Sequence, residues 1–128
     1  MRYTPETRIN NPSMEYVKLW AALDELNLIY TKICRLKLVD DYRENWTVPA
    51  LIKFGVDAYQ FDHAAIEFKE NYYPNHNGMS KKTKAVKQRL LIYCQDNNIP
   101  VLLISRKKSQ AEMNLSIRKW LDQLRKEI

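Results

Sequence analysis

The run Ile99-Pro100-Val101-Leu102-Leu103-Ile104 restricts the fold of this chain more than any other segment does. The run is wholly apolar, and it begins directly after the polar pair Asn97-Asn98. A short apolar run of this kind is typical of a central strand that is covered on both faces of its sheet. Because helices are the usual cover for such a sheet, the run predicts a layered α/β fold.

Helices are predicted on both sides of this strand. The helix before it begins at Ser80, a capping residue, extends to about Asn97, and buries a stripe at helical spacing: Val86, Leu90 and Tyr93 or Cys94. The helix after it begins at Ser109 and has on its core side Met113, Ile117, Trp120, Leu121 and Leu124. A first helix is predicted from Ser13 to about Asn27, and its buried residues are expected to be Val17, Trp20 and Leu23, with Leu26 as a further candidate.

The remaining strands are predicted between the first helix and the second. Residues 28–38 alternate loosely in polarity, which favours a strand and leaves a continued helix as the alternative. Residues 39–49 are polar and irregular, so we expect a loop. Residues 55–61 and 64–69 predict an antiparallel hairpin with a tight turn at 62–63. The expected fold is one α/β domain, a mixed sheet flanked by helices in the order αβββαβα.

The composition argues against several classes of protein. No apolar run approaches the roughly 18 residues of a membrane span, and the first residues lack the apolar core of a signal peptide. We therefore expect a cytoplasmic protein with no membrane partner, in which Cys34 and Cys94 are reduced and buried. Two scattered histidines argue against a zinc site, and two glycines leave no room for a glycine-rich phosphate loop.

The positive charge is concentrated in one part of the chain. The net charge is +6, and residues 71–95 contain no Asp or Glu. This acid-free stretch carries five basic residues within nine positions: Lys81, Lys82, Lys84, Lys87 and Arg89. A second basic cluster, Arg106-Lys107-Lys108, follows the apolar run. Such clusters attract polyanions such as DNA, and a solvated helix face is the alternative explanation.

The predicted hairpin contains the residues that suggest chemistry. On a strand, residues two apart share a face, so Glu67 and Lys69 are expected to project together while Ile66 and Phe68 face a core. Asp57 is expected on the partner strand, close to Glu67. Two adjacent carboxylates repel each other unless a cation lies between them, and such oxygen ligands suit Mg²⁺ or Mn²⁺. The alternative is a solvated Glu–Lys pair at the edge of a sheet.

The same residues resemble a known superfamily. Gly55-Val56-Asp57 followed by Glu67-Phe68-Lys69 is similar to the motif of the PD-(D/E)xK nucleases, and within them to VRR-NUC domains and archaeal-type Holliday junction resolvases. The resemblance extends to Glu15, which matches a helix acid that assists metal binding, and to the helix and strand after the motif. It differs at Val56, where the motif often has proline, and at Gln88, whose spacing from Ser80 departs from the VRR-NUC pattern.

The resemblance implies a restriction-endonuclease-like fold and a metal-dependent endonuclease that cleaves DNA. It assigns catalysis to Asp57, Glu67 and Lys69, and metal binding to Asp57, Glu67, the Phe68 carbonyl and Glu15. DNA contacts are expected from the basic residues of 81–89, and the resemblance further implies a branched substrate and a homodimer. Two alternatives stay open: an inactive nucleic-acid-binding module on the same fold, and a protein-interaction domain.

Overall fold

The computed structural model describes residues 3–5, 13–37, 45–55, 59–70 and 81–125. These residues form five strands and three helices, which confirms the predicted mixed α/β class. In chain order they are β1 (Tyr3–Pro5), α1 (Met14–Glu25), β2 (Tyr30–Lys37), β3 (Asn45–Lys53), β4 (His63–Phe68), α2 (Lys81–Asp96), β5 (Val101–Ile104) and α3 (Gln110–Leu124). In the described parts of the chain, no helix is long and apolar enough to cross a membrane.

The strands lie side by side in chain order, β1-β2-β3-β4-β5. The pairs β1–β2, β2–β3 and β3–β4 are antiparallel, whereas β5 is parallel to β4. A parallel neighbour requires a crossover connection, and α2 lies within the segment that makes it. As a result, β4 and β5 end at the same edge of the sheet, where Glu67 is paired with Leu103.

Strand β4 is covered on both faces, and residues 64–68 are all buried. Ala64, Ile66 and Phe68 belong to a core cluster that also contains residues of α1 and α3. Ala65, on the opposite face, belongs to a second cluster with Leu90 and Cys94 of α2. The sheet therefore lies between two helical layers, α1 and α3 on one side and α2 on the other.

Local signals define the helix ends. Ser109 caps α3 with a complete capping box: its hydroxyl accepts from the Glu112 N–H, and the Glu112 carboxylate accepts from the Ser109 N–H. Asn27 and Asn98 adopt left-handed φ values of 56° and 55° just after α1 and α2, a conformation that Asn tolerates. The five predicted core residues of α3 are all buried. In α1, Trp20 and Leu23 are buried as predicted, but Val17 is 43% exposed and Leu19 is buried instead, so the prediction for Val17 was wrong.

The predicted strand over residues 28–38 is confirmed by β2, but the predicted loop over 39–49 is wrong where β3 occupies it. Pro49 was the misleading signal, because proline rarely lies inside a strand with neighbours on both sides. The ladder is interrupted there: Lys32 pairs with Ala50 and Cys34 with Val48, and Ile33 between them has a φ of 48°. Residues 38–44 lie outside the described residues.

The predicted hairpin of residues 55–61 with 64–69 is also wrong. The antiparallel partner of β4 is β3, with Ala50 opposite Ile66, and the Phe54 N–H donates to the Asp62 carbonyl at 2.9 Å. Tyr59 forms only an isolated bridge with Arg125. An aromatic side chain that suggested a strand packs elsewhere: Tyr59 stacks on Phe54, with 4.2 Å between the ring centroids.

The apolar run that predicted a central strand forms an edge strand in the described sheet. β5 has one strand neighbour, β4, and Leu103 is 38% exposed. The doubly covered strand is β4, whose sequence includes Glu67 and is therefore less uniformly apolar. The apolar composition of residues 99–104 thus correctly predicts a strand, but its predicted position at the centre of the sheet is wrong.

The Ser109 capping box gives a first testable prediction. Ser109→Ala should lower the free energy of unfolding by about 1 kcal/mol, because the N–H groups at the start of α3 lose their acceptor. Urea denaturation measures this change. Ser109→Asp retains an acceptor and should lie close to the original protein, and equal stability of all three proteins would contradict the capping role.

Candidate functional site

Glu67 is the one charged side chain that is buried among the described residues, with 5% of its surface exposed. It shares a sheet face with Ala65, so it points toward the layer of α2. Its Oε1 accepts a hydrogen bond from the Phe68 N–H at 2.7 Å, and its Oε2 accepts one from the Trp46 indole N–H. A buried carboxylate held by two donors is the central polar feature of this face.

Burial raises the pKa of Glu67 above the ordinary carboxyl value. The hydrogen bonds from Trp46 and from the Phe68 N–H act in the opposite direction, as do the positive charges of Lys87 and Arg106. Because desolvation has the largest effect, the carboxylate is less acidic than it is in water. A nearby cation would favour its charged form.

Glu67 and Lys69, which were predicted to share a face, differ in their exposure to solvent. Glu67 is buried, whereas Lys69 lies just beyond the end of β4 and is exposed. Ile66 and Phe68 face the core, as expected. This difference in exposure arises because β4 is covered on both faces. Glu67 lies within the covered strand, whereas Lys69 lies beyond its end.

Lys87 contacts the main chain of this motif. Its Nζ donates to the Phe68 carbonyl at 2.9 Å and to the Lys69 carbonyl at 3.4 Å. It was expected to contact DNA with the other basic residues of α2, yet it is half-buried and turned toward β4. Arg89 is exposed. Lys81, Lys82 and Lys84 lie in α2, but their side chains are outside the described part of the structure.

A second polar group joins the ends of β4 and β5. The Glu70 carboxylate accepts from the Ser105 hydroxyl at 2.6 Å and from the Arg106 N–H at 2.8 Å, and the Arg106 Nε donates to the Glu70 carbonyl at 2.8 Å. The Arg106 guanidinium also lies 4.3 Å from the centroid of the Phe68 ring. Burial raises the pKa of Glu70, but these hydrogen bonds outweigh it and lower the pKa.

These contacts change the interpretation of the second basic cluster. Arg106 bonds to Glu70, and Lys108 donates to the Ser116 hydroxyl at 3.0 Å, while Lys107 is exposed. Sequence reasoning missed Trp46, Glu70 and Ser105. No spacing connects them to the motif, because they meet it through strand pairing and the parallel ends of β4 and β5.

Glu15 lies in the first turn of α1, as predicted. The nearby Ser13 hydroxyl has the largest influence on its pKa, which is lowered, with further contributions from the Glu15 N–H, Arg106 and Lys18. Its Oε2 is buried and accepts no hydrogen bond. Arg106 acts to lower the pKa of both Glu15 and Glu67, while burial, and after it the charges of Glu67 and Glu15, raise the pKa of Tyr16. Tyr16 follows Glu15 in the chain and its ring lies 5.5 Å from that of Phe68, so Glu15 and Glu67 lie near the same end of the sheet.

Residues 56–58, which include Asp57, lie outside the described residues. The predicted proximity of Asp57 to Glu67 therefore stays a prediction. The residues that flank this segment are described. Phe54 bonds to Asp62, and the Gln60 N–H donates to the Leu124 carbonyl at 3.4 Å. Both contacts lie at the end of the sheet where β4 begins, whereas Glu67 is near the end where β4 finishes.

The donor chemistry at Glu67 fits a hard divalent cation, because a carboxylate and the Phe68 carbonyl are oxygen ligands. The set is incomplete within the described ranges, which contain no group of three or more His, Cys, Asp or Glu side chains able to hold a metal ion. The motif resemblance predicts that Asp57 and Glu15, whose Oε2 accepts no hydrogen bond, complete the set.

A polar depression of about 450 Å³ lies at the other end of the sheet. Lys53, Asp62 and His63 line it, together with Asn97 and Asn98 at the end of α2. Burial lowers the pKa of His63, so its imidazole has less positive charge near neutral pH. This depression is separate from the Glu67 site.

Comparison of the chain with protein-family models, with curated proteins and with solved structures finds no match.

The Trp46–Glu67 hydrogen bond predicts a pH-dependent stability. Because the folded-state pKa of Glu67 is raised, the free energy of unfolding should fall as pH rises from the ordinary carboxyl pKa through the raised one. Trp46→Phe removes a donor to the charged form, raises that pKa further, and should cost about 1–3 kcal/mol at pH 8 and less at pH 4.

Denaturation curves at both pH values measure this effect. Trp120→Phe is the matched control, since Trp120 lies in the core cluster on the other face of the sheet. Its cost should be the same at both pH values. Equal pH dependence in the two variants would show that the indole N–H does not stabilise the Glu67 carboxylate.

Proposed function

We propose that this chain is a metal-dependent endonuclease domain that hydrolyses phosphodiester bonds in DNA. The observation that carries the proposal is the buried Glu67 at the end of a doubly covered strand, next to the Phe68 carbonyl and the Lys69 side chain. Burying a lone carboxylate in a domain of this size is costly, and functional sites are where such groups concentrate.

The proposed ion is Mg²⁺ or Mn²⁺, held by Asp57, Glu67, the Phe68 carbonyl and Glu15. When bound, it would neutralise phosphate charge and lower the pKa of a coordinated water. Asp57 enters on the motif resemblance, and Glu15 on its unbonded carboxylate oxygen as well. Lys69 is exposed beside the motif, where its ammonium group can orient the attacking water and attract the phosphate.

The proposed fold is the restriction-endonuclease-like one. Helix α1 carries an acid, β4 carries Glu67, and the basic helix α2 and strand β5 follow. These elements support the proposal because the motif resemblance implies a helix acid before the motif, and a helix and a strand after it. The exposed part of α2 is proposed to contact the DNA backbone, a branched DNA is the proposed substrate, and a homodimer the proposed assembly.

One observation favours a second candidate, a nucleic-acid-binding module without catalysis. Both Glu67 oxygens already accept N–H bonds, and the Phe68 carbonyl accepts one from Lys87. A buried carboxylate that is satisfied in this way can persist for structural reasons. The two candidates differ in whether Mg²⁺ changes what the protein does to DNA.

Cleavage assays separate the candidates. We expect Mg²⁺-dependent cleavage of at least one substrate among linear, flapped and four-way DNAs. Asp57→Asn and Glu67→Gln should each reduce it more than about 100-fold, since each removes a charged ligand. Lys69→Ala should also lose activity but still bind metal. DNA binding without cleavage, unaffected by Mg²⁺, would support the binding module.

The basic helix gives a separate prediction. Changing Lys81, Lys82 and Lys84 to Gln should weaken binding to all DNA sequences alike. It should also reduce the magnitude of the slope of log affinity against log salt concentration by up to about 2.7, because each phosphate contact contributes about 0.9 to that slope. The matched control changes three exposed lysines outside α2 to Gln: Lys32, Lys53 and Lys119. An equal slope change in both triple variants would indicate a general charge effect.

A further inference from the structure

The Lys87 ammonium group is held at the main chain that carries the motif. It reaches from α2 to the Phe68 carbonyl at 2.9 Å and to the Lys69 carbonyl at 3.4 Å. A lysine placed in this way loses side-chain freedom and part of its hydration, so the contact has to offset both costs. The two carbonyl oxygens and the nearby negative charge of Glu67 together provide that compensation.

We infer that Lys87 is the internal counter-cation of the Glu67 site and that its ammonium group leaves the Phe68 carbonyl when a divalent cation binds there. This inference rests on the proposed metal site. A Phe68 oxygen that contacts an ammonium group at 2.9 Å and a Mg²⁺ at about 2.1 Å would bring two positive centres within a few ångströms. The two cations therefore exclude each other.

The exchange has a chemical use at this position. Lys87 contacts the end of β4 through hydrogen bonds, which can be exchanged for others. Its side chain extends from α2, the helix proposed to contact DNA. Once it has left the carbonyl, its ammonium group is available to a phosphate oxygen. The same lysine would thus stabilise Glu67 in the metal-free protein and contact substrate in the loaded one, with no bond made or broken other than hydrogen bonds.

Metal affinity tests the inference without any activity assay. Titration calorimetry with Mn²⁺ on the full chain should show tighter binding to Lys87→Met than to the original protein, by on the order of 10-fold, because a competing positive charge is removed. Lys53→Met is the matched control: it removes the same charge from an exposed lysine that lines the depression at the other end of the sheet. Its Mn²⁺ affinity should stay within about twofold.

The reactivity of Lys87 gives a second measurement. With acetic anhydride and mass spectrometry, Lys87 should be labelled more slowly than Lys53 in metal-free protein. Its labelling should accelerate when Mn²⁺ is added, while that of Lys53 should not. Equal labelling of the two lysines without metal would overturn the inference, because Lys87 would not then be held at the carbonyl.

The possible failures are distinguishable. Weaker or unchanged Mn²⁺ affinity in Lys87→Met would overturn the displacement and leave the metal site standing. Absence of Mn²⁺ binding in both the original protein and Lys87→Met would overturn the proposed metal site and the displacement together. Tighter binding in Lys87→Met, with faster labelling of Lys87 on adding Mn²⁺, would support both.

Discussion

The enclosure of β4 between two helical layers is the constraint on which the rest of the structure depends. Five consecutive residues of this strand, Ala64 to Phe68, are buried, and Glu67 is one of them. A carboxylate in that position needs donors, so Trp46 of β3 and the Phe68 N–H bond to it, and Lys87 of α2 lies beside it. Strand β4 thus contacts both core clusters, its antiparallel neighbour β3 and the crossover helix α2.

The sequence predicted what depends on local periodicity and on caps. The α3 stripe was correct in every member, because a 3.6-residue repeat with Ser109 at its start specifies both the helix and its buried side. β2 was also correct. The two Asn residues that end α1 and α2 are local signals of the same kind, since each adopts the left-handed conformation that closes a helix.

What depends on strand neighbours could not be predicted in the same way. The apolar β5 is predicted at the centre and lies at an edge of the sheet formed by the described residues, and β3 contains a proline that argues for a loop. The partner of β4 is predicted at 55–61 because β-branched and aromatic residues there suggest a strand, but one of them, Tyr59, stacks on Phe54 instead. The sequence motif draws attention to Glu67, while the burial of its side chain and its contact with Trp46 follow from strand pairing that no short motif encodes.

The parallel pairing of β4 with β5 has a consequence for how the molecule is assembled. Strands β2, β3 and β4 follow one another as antiparallel neighbours, so their contacts close short loops of chain. Phe68 meets Ile104 only after the intervening 35 residues, including α2, have returned to the sheet. Closing that longer loop costs more chain entropy, and non-local pairing slows folding. We therefore expect the antiparallel strands β2, β3 and β4 to pair early and α2 to pack against them late. Because α2 covers the face of β4 that carries Glu67, this side chain becomes buried only near the end of folding.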